Sequence, residues 1–391
     1  MTEHRKNHCP KHKTSDYLSG PSIEPLKLSG QEQVADMIDN VFARSGFNGR
    51  RLAEASVLFS RMINENATIA LTLAGAMTPI GMSGPIIDLI KNGFVDFIIS
   101  TGANLYHDLH RTFDYPMHQG NWAVDDNELA EHGIARIYDV FITENESLLG
   151  TDLELVKALM AVPAEKPMST ARLHYHLGRI LAKFAPHPEL SLLIAAAEYE
   201  VPVFTSSPGD SSIALNMVHR HLMGNGIVID PILDVLESTA IIRFAEKNGV
   251  IEVGGGSPKN FYMQTQPTLW QIFHNKTAGT GHDYFIQLTT DSPHWGGLSG
   301  ATPQEAKSWG KVKDAQINNA VVYSCASITF PLLCQYVFTR NTPRRPKRLL
   351  AGLDKMVSDL MEEGKNTPAL QEEWKLARDF LAKHPELAKR S

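Results

Sequence analysis

The chain has 391 residues, which is long enough for one large α/β domain or two smaller ones. Hydrophobic residues make up 43% of the chain and charged residues 20%, a balance that excludes an intrinsically disordered protein. The 37 basic and 43 acidic residues give a net charge of −6, which argues against a basic surface for nucleic acid.

The cysteine pattern and the hydropathy indicate the compartment. Cys9, Cys325 and Cys334 show no spacing typical of a disulfide framework. The N-terminus has no apolar signal core, and no run reaches the roughly 20 apolar residues that a membrane span needs. We therefore expect a cytoplasmic protein that does not associate with membranes.

The chain begins with a polar, basic tail at residues 1–30. His8, Cys9 and His12 in this tail are potential metal ligands, but three ligands at this spacing match no standard zinc site. A flexible or partner-packing tail is the favoured interpretation, and no metal site is predicted.

Beyond the tail, short apolar runs alternate with longer amphipathic stretches. The predicted strands are 68–73, 95–100, 136–142, 201–205, 250–253, 284–289 and 321–324. The predicted helices include 86–92, 169–184, 190–199, 213–221 and 231–247. In the last of these, Asp230 is a good N-cap and Pro231 suits the first helical position. The alternation predicts an α/β fold, with a mostly parallel sheet and helices on both faces.

No linker interrupts this pattern, so we predict one large domain at residues 31–342. Residues 343–391 are charged and helical in pattern, and we interpret them as a C-terminal helical extension. The basic cluster at 344–348 is expected to be a solvated start of this extension rather than a binding patch.

Glycine, hydroxyl and other small residues follow the predicted strands, at 73–76, 100–104, 206–210, 254–256 and 289–292. In open parallel sheets, ligands bind outside the carboxyl ends of the strands. Such strand ends fit a single crevice that holds a dinucleotide. Taken alone, the triple glycine at 254–256 is explained equally well by a tight turn, and residues 100–108 by a capped helix instead of an anion site.

His107 and His110 lie three residues apart in a predicted helix and could share one face of it. No third ligand accompanies them in the sequence. Core or surface histidines are therefore favoured over a metal pair.

A further helix is predicted to begin at Thr302, which is a good N-cap. Pro303 suits the first helical position, and Glu305 would complete a capping box. Trp309 and Lys311 lie near the end of this helix. On spacing alone, a surface lysine favoured by the helix dipole explains Lys311 better than a Schiff-base lysine beside an aromatic wall.

A longer stretch of sequence around Lys311 changes that interpretation. Residues 298–311 read Leu-Ser-Gly-Ala-Thr-Pro-Gln-Glu-Ala-Lys-Ser-Trp-Gly-Lys. The accompanying motifs are Val-Gly-Gly-Gly at 253–256, Lys259, Asp-Ala-Gln at 314–316, and Ala-Ser with Phe-Pro within 326–331. Together these motifs resemble the deoxyhypusine synthase family, and the resemblance extends over about residues 68–340.

The resemblance implies a Rossmann-like α/β fold that assembles as a homotetramer with active sites between paired subunits. It implies a reaction in which NAD oxidises spermidine to an imine, and the aminobutyl group passes through a lysine to a translation-factor lysine. Lys311 would be the catalytic lysine. The implied substrate-binding residues are Trp309, Glu305, Asp210 and Asn260. The implied NAD-binding residues are Thr78, Thr101, Gly102, Ala103, Gly254, Gly256, Thr290, Ser299 and Ala326.

These roles are physically reasonable. Lys311 would need a lowered pKa to attack as a neutral amine, and burial against Trp309 could lower that pKa. The ring face of Trp309 could also hold a cationic amine.

The sequence departs from the family pattern at several positions where the family has acids or a histidine. These positions are Tyr106, His107, Thr205, Asn260, Trp295, Leu298 and Cys325. The lysine, the tryptophan and the glycine loops are kept, whereas the polyamine pocket is partly rebuilt. The pattern is similar to the divergent deoxyhypusine synthase-like branch found in bacteria.

The leading hypothesis is therefore an NAD-dependent transferase that moves an aminoalkyl group, with aminobutyl favoured, through a lysine imine to an amine acceptor. A small polyamine is the favoured acceptor, as in a homospermidine synthase. The first alternative is true deoxyhypusine synthesis on a translation-factor lysine. The others are a non-catalytic NAD-binding homologue and a dehydrogenase that releases the imine.

Overall fold

The computed structural model describes residues 18–314 and 316–387. The ligand-like cluster at residues 8–12 lies outside the described residues, as does Ala315 of the Asp-Ala-Gln motif.

Two sheets are present in the described part of the chain. Their strands are β1 (Thr68–Leu73), β2 (Phe97–Ser100), β3 (His118–Gln119), β4 (Ile134–Ile137), β5 (Val140–Thr143), β6 (Val203–Thr205), β7 (Asn248–Val253), β8 (Tyr284–Thr289) and β9 (Asn319–Tyr323). Six strands form one parallel sheet in the order β6-β2-β1-β7-β8-β9. The chain winds outward from β1 to β6, returns to β7 beside β1, and winds outward again to β9. This doubly wound order confirms the predicted Rossmann-like fold.

The predicted strand at 136–142 is wrong as a single strand. The segment forms two antiparallel strands, β4 and β5. Ile137 lies opposite Val140, and the pairing continues to Ile134 opposite Thr143. Tyr138 has a left-handed backbone, with φ of 55°, and begins the two-residue turn between them. With β3 these strands form a separate three-stranded sheet, so the segment does not join the parallel sheet. Its apolar character was correctly recognised, but the turn at Tyr138 was not.

The helices lie between and after the strands. They are α1 (Val34–Met37), α2 (Phe47–Asn64), α3 (Ser83–Lys91), α4 (Gly102–His107), α5 (Asp126–Glu131), α6 (Leu149–Met160), α7 (Thr170–Leu181), α8 (Leu192–Glu198), α9 (Ser212–Leu222), α10 (Pro231–Arg243), α11 (Gly256–Pro267), α12 (Pro303–Ser308), α13 (Ala326–Arg340), α14 (Leu349–Lys365) and α15 (Pro368–Lys383). Asp230 caps α10 as predicted, because its carboxylate accepts a hydrogen bond from Ile232 N at 2.9 Å. None of the described helices is both long and apolar enough to cross a membrane.

Alternate side chains of the parallel strands enter two hydrophobic layers. On one face, Ile69 and Leu71 of β1 pack with α2, α3, α8 and α13. On the other face, Ala70 of β1 and Val250 of β7 pack with α10, α11 and α14. Helices therefore cover both faces, as the sequence pattern predicted. Helix α14 places the fully buried Leu353 in the second layer.

Side chains cover both edges of the parallel sheet. At the β6 edge, His174 Nδ1 donates to Val203 O at 2.7 Å, and Thr205 N donates to Thr170 Oγ1 at 2.9 Å. At the β9 edge, the amide of Asn48 bonds both Tyr323 O at 2.7 Å and Tyr323 N at 3.0 Å. These contacts satisfy backbone groups that an edge strand would otherwise expose.

The basic cluster at 344–348 is not simply the solvated start that its composition indicated. Arg344 Nη2 lies 2.6 Å from Asp96 Oδ2, and the Asp96 side chain is fully buried. Lys347 Nζ lies 4.0 Å from the same oxygen. Asp96 also accepts a hydrogen bond from Ile69 N at 2.8 Å. These contacts fix the segment after α13 to the amino ends of β1 and β2.

Replacing Arg344 by alanine should lower the free energy of unfolding by about 3 kcal/mol, because the buried carboxyl of Asp96 loses its counter-charge. Urea denaturation followed by circular dichroism measures the change. Arg345, which is exposed, provides the matched control, and Arg345→Ala should change stability by less than about 0.5 kcal/mol. Equal effects of the two substitutions would contradict the anchoring role.

Candidate active site

The beginning of α11 connects the groups that the sequence singled out. The helix starts directly after β7, where Gly256 N donates to Ser299 Oγ at 2.9 Å. One residue later, Ser257 Oγ lies 3.5 Å from Ser207 Oγ of the loop after β6. About one helical turn after Gly256, Asn260 Oδ1 accepts a hydrogen bond from Lys311 Nζ at 3.0 Å. Three distant segments therefore meet at one helix end.

Lys259, on the inner side of the same turn, is almost completely buried. Its ammonium donates to Gln287 Oε1 at 2.9 Å and to Ala301 O at 2.7 Å. It also lies 3.7 Å from Glu252 Oε2, a fully buried carboxylate on β7. A buried charge is tolerated when it is paired and hydrogen-bonded in this way. Lys259 thus holds the loop before α12 against the sheet.

The amide of Gln287 continues this connection to the glycine turn. Its Nε2 donates to Gly254 O at 2.9 Å and to Ser299 O at 2.7 Å. The side-chain oxygen meanwhile accepts the hydrogen bond from Lys259. One amide on β8 therefore fixes the spacing between the glycine turn and the loop at Ser299.

The backbone of Lys311 is held on both sides. Thr302 caps α12 as predicted, with Oγ1 accepting from Glu305 N at 3.2 Å. The helix ends at Ser308, and Gly310 follows it with a φ of 68°, a left-handed conformation that favours glycine. Lys311 N donates to Ala306 O at 2.9 Å, and Lys311 O accepts from His282 N at 2.9 Å. The side chain of Lys311 therefore starts from a fixed point.

The amine of Lys311 is half-buried, and its pKa is lowered, first by burial and then by the charge of Lys259. Its hydrogen-bond acceptor, Asn260, carries no charge. Nζ lies 5.9 Å from the centre of the Trp309 ring. Trp309 itself is 62% exposed, so the expectation that burial against Trp309 lowers the pKa is not supported. The arrangement presents a neutral amine more readily than an ordinary lysine does.

The structure places the two predicted acids differently. Glu305 is exposed on α12, one helical turn before Trp309, and its charge raises the pKa of Lys311 in opposition to burial. Asp210 is exposed on the loop after β6, and that loop approaches α11 through the contact between Ser207 and Ser257. Glu305 thus belongs to the surroundings of Lys311, whereas Asp210 lies on a neighbouring loop.

The predicted cofactor residues follow the carboxyl ends of five parallel strands. Thr78 follows β1; Thr101, Gly102 and Ala103 follow β2; Gly254 and Gly256 follow β7; Thr290 and Ser299 follow β8; and Ala326 follows β9. β1 and β7 are the adjacent strands at which the winding direction reverses, and Ala74 N donates to Val253 O at 3.0 Å there. The crevice at such a reversal is where doubly wound sheets bind ligands.

These residues differ in how open they are to a ligand. Gly254 and Gly256 have φ of 79° and 59°, and a Cβ at Gly256 would meet open space. Ala103 and Thr290 are exposed. Thr78 is completely buried and donates from Oγ1 to Asn104 O at 2.7 Å. A direct contact of the Thr78 hydroxyl with a cofactor would have to replace that bond.

His107 and His110 form a hydrogen-bonded pair, in which His110 is completely buried. His107 Nδ1 lies 2.9 Å from His110 Nε2, and His110 Nδ1 lies 2.6 Å from Thr151 Oγ1. Burial lowers the pKa of His107 to about 4 and that of His110 to about 3. Within residues 18–314 and 316–387, no group of three or more histidine, cysteine, aspartate or glutamate side chains could hold a metal ion.

Sequence reasoning did not single out Glu252 and Gln287. Both lie in strands whose side chains are buried along their whole length. A charged or amide side chain in such a strand requires a buried partner, which is a signal the sequence does contain. The identity of the partners could not be read from it.

The family model for deoxyhypusine synthase matches residues 36–337, which is most of the chain. A "Deoxyhypusine synthase-like protein" of Nostoc sp. (strain PCC 7120) is 42% identical over 340 residues, covering 84% of this chain and 88% of the relative. The chain belongs to the deoxyhypusine synthase family.

Relatives of the deoxyhypusine synthase family also occur among archaeal proteins. A "Probable deoxyhypusine synthase 2" of Methanosarcina acetivorans is 38% identical, with coverage of 81% of this chain and 89% of the relative. A crystal structure from Entamoeba histolytica assigned to deoxyhypusine synthase superposes with a TM-score of 0.56 at 16% identity, covering 83% of this chain and 99% of that one. That likeness shows the shared fold.

Replacing Gly255 by alanine should displace the loop at Ser299, because an added Cβ would lie 2.5 Å from Ser299 Cα. We expect a loss of about 1–3 kcal/mol in the free energy of unfolding, as for other overpacked sites, and faster hydrogen exchange at residues 297–301. Gly209→Ala is the control, since its Cβ would meet no atom within 4 Å. Unchanged exchange in Gly255→Ala would show that the two loops are not in close contact.

Proposed function

We propose that this protein is an NAD-dependent transferase that moves an aminobutyl group through an imine on Lys311 to a small polyamine acceptor, in the manner of a homospermidine synthase. The observation that carries the proposal is the half-buried amine of Lys311, with its lowered pKa and its neutral acceptor Asn260. A lysine becomes nucleophilic at neutral pH when its pKa is lowered. Trp309 and Glu305 beside it offer an aromatic face and a carboxylate for a second, cationic nitrogen.

The loops at the β1–β7 reversal support NAD as the cofactor. The open, left-handed glycine turn and the start of α11 offer backbone N–H groups to a pyrophosphate. Thr101, Ser299, Thr290 and Ala326 would line the rest of the crevice. NAD, when bound, would accept a hydride from the donor carbon beside nitrogen and return it to the final imine.

Lys311 would exchange the amine at the resulting imine carbon. The neutral Nζ adds to that carbon, the carbon–nitrogen bond to the rest of the donor breaks, and the leaving nitrogen takes up the proton that Lys311 gives up. The acceptor amine repeats the exchange on the Lys311 imine and frees the lysine. Asn260 keeps the amine oriented without adding a charge that would favour its protonated form.

The proposal includes a homotetramer with active sites at subunit interfaces. Trp295, Leu298 and Trp309 lie in the segment that leads to Lys311 and are 71%, 49% and 62% exposed in the single chain. Large exposed apolar residues that form a contiguous patch are typical of surfaces that a partner covers. Light scattering coupled to size-exclusion chromatography measures the assembly.

Incubation with NAD and a diamine or triamine, followed by borohydride, should leave an aminobutyl mass on Lys311 and a new polyamine in solution. Lys311→Ala should abolish both, because the proposed imine forms on the Lys311 amine. Lys307→Ala, four residues earlier and exposed on α12, is the matched control and should keep both. Mass spectrometry of peptides and small molecules gives the result.

Two outcomes would redirect this proposal. Adducts of equal abundance in Lys311→Ala would remove the lysine from the mechanism. Transfer of label from spermidine to a translation-factor lysine, without a new polyamine, would make the protein a true deoxyhypusine synthase.

Asn260→Asp should move the pH dependence of adduct formation toward higher pH. A carboxylate 3.0 Å from Nζ would raise the pKa of Lys311 by about one unit or more, so the amine stays protonated and unreactive to a higher pH. At pH 7 the rate should fall about tenfold, and it should recover at alkaline pH. Asn121→Asp, on an exposed loop, should leave the profile unchanged. A loss that does not recover at alkaline pH would contradict this explanation.

A further inference from the structure

A second lysine and an acid lie buried behind the amine of Lys311. Glu252 is completely buried, and neither of its carboxylate oxygens has a hydrogen-bond partner among the described residues. Lys259 Nζ lies 3.7 Å from Glu252 Oε2 and forms an ion pair with that carboxylate. An acid of this kind inside a covered parallel sheet is costly unless its charge is compensated.

The two lysines are not equivalent in their contacts. Lys259 Nζ has two oxygen acceptors, the nearby carboxylate of Glu252, and the face of the Phe285 ring at 5.5 Å. Lys311 Nζ has the single neutral acceptor Asn260. The surroundings of Lys259 therefore suit an ammonium group, whereas those of Lys311 offer no charged acceptor within hydrogen-bond distance among the described residues.

We propose that Glu252, Lys259 and Lys311 form a triad in which one carboxylate balances one ammonium, so that the charge of Lys259 keeps Lys311 neutral. Glu252 and Lys259 are positioning residues, since they act on the reaction through Lys311. The inference rests on the proposed function, because it explains how Lys311 would be ready to attack. It assigns a role to two side chains that lie behind the reacting amine.

The triad contains two amines and one carboxylate, and the other titratable groups nearby in the described part of the chain supply no buried negative charge to balance a second ammonium. His282 is neutral, because burial lowers its pKa to about 3, and Tyr262 is neutral, because burial raises its pKa. Glu305 on α12 attracts a proton to Lys311, but it is exposed to solvent, which screens its charge. Burial raises the pKa of Glu252, and the charges of both lysines lower it. Lys259 therefore provides the main repulsion acting on Lys311.

The test is the reactivity of Lys311 toward acetic anhydride as a function of pH, measured by peptide mass spectrometry on the full-length protein. Only the neutral amine reacts, so the midpoint of the curve reports its protonation. In Lys259→Met the midpoint should rise by at least one pH unit, and labelling at pH 7 should slow about tenfold, because the repulsion is lost and Glu252 now attracts Lys311. Adding Glu252→Gln to that variant should lower the midpoint again.

Lys313→Met is the control, because it removes an exposed cation two residues away that is paired with Asp283. Its midpoint should equal that of the wild type, and exposed Lys307 serves as the internal standard in every sample. Lys259→Met should raise the midpoint and the added Glu252→Gln should lower it. A loosened structure would not produce shifts in opposite directions. An unchanged or lower midpoint in Lys259→Met, or no reversal on adding Glu252→Gln, would overturn the triad.

The labelling needs neither NAD nor an amine substrate. The expected shifts without any aminobutyl adduct would sustain the triad and refute the proposed function. An aminobutyl adduct on Lys311 without the shifts would sustain the proposed function and refute the triad.

Discussion

The burial of the Lys259 ammonium is the constraint on which the candidate site depends. A buried cation must have acceptors, and the acceptors here come from β7, β8 and the loop before α12. Because those elements are far apart in the sequence, satisfying one ammonium fixes their relative positions. The glycine turn, the loop at Ser299 and the backbone leading to Lys311 all follow from that arrangement.

The same constraint explains why the amine of Lys311 lies beside α11. Glu252 points toward the layer that contains α11, and Lys259 reaches inward from that helix to meet it. Asn260, the next residue, is then directed outward toward Lys311. Lys259 and Asn260 are adjacent on one helix, so their side chains point in different directions. The charged Lys259 therefore lies inside, and the neutral acceptor Asn260 lies outside.

Much of the fold could be predicted from the sequence, because its signals are local. Six of the predicted strands lie in the parallel sheet, and the caps at Asp230 and Thr302 form as expected. The contacts that were missed join distant residues. Arg344 meets Asp96 across 248 positions, and Lys259 meets Ala301 across 42. The periodicity of the sequence does not predict a contact between such distant residues. The cluster at 344–348 was therefore expected to be solvated, and Glu252 was given no role. Lys311 was recognised through the surrounding motif rather than its spacing, which alone favoured a surface lysine.

The covered edges of the parallel sheet also limit how copies of this chain can associate. Asn48 presents an amide to Tyr323 in the place where another strand's backbone would bind, and the imidazole of His174 occupies the carbonyl of Val203. A neighbouring polypeptide therefore finds no free backbone template along β6 or β9 at these positions. Continuous sheets across subunits, and the fibrous aggregation that unprotected strands invite, are disfavoured there. Contacts between copies at these two edges would then depend on the complementarity of side chains rather than on strand backbone.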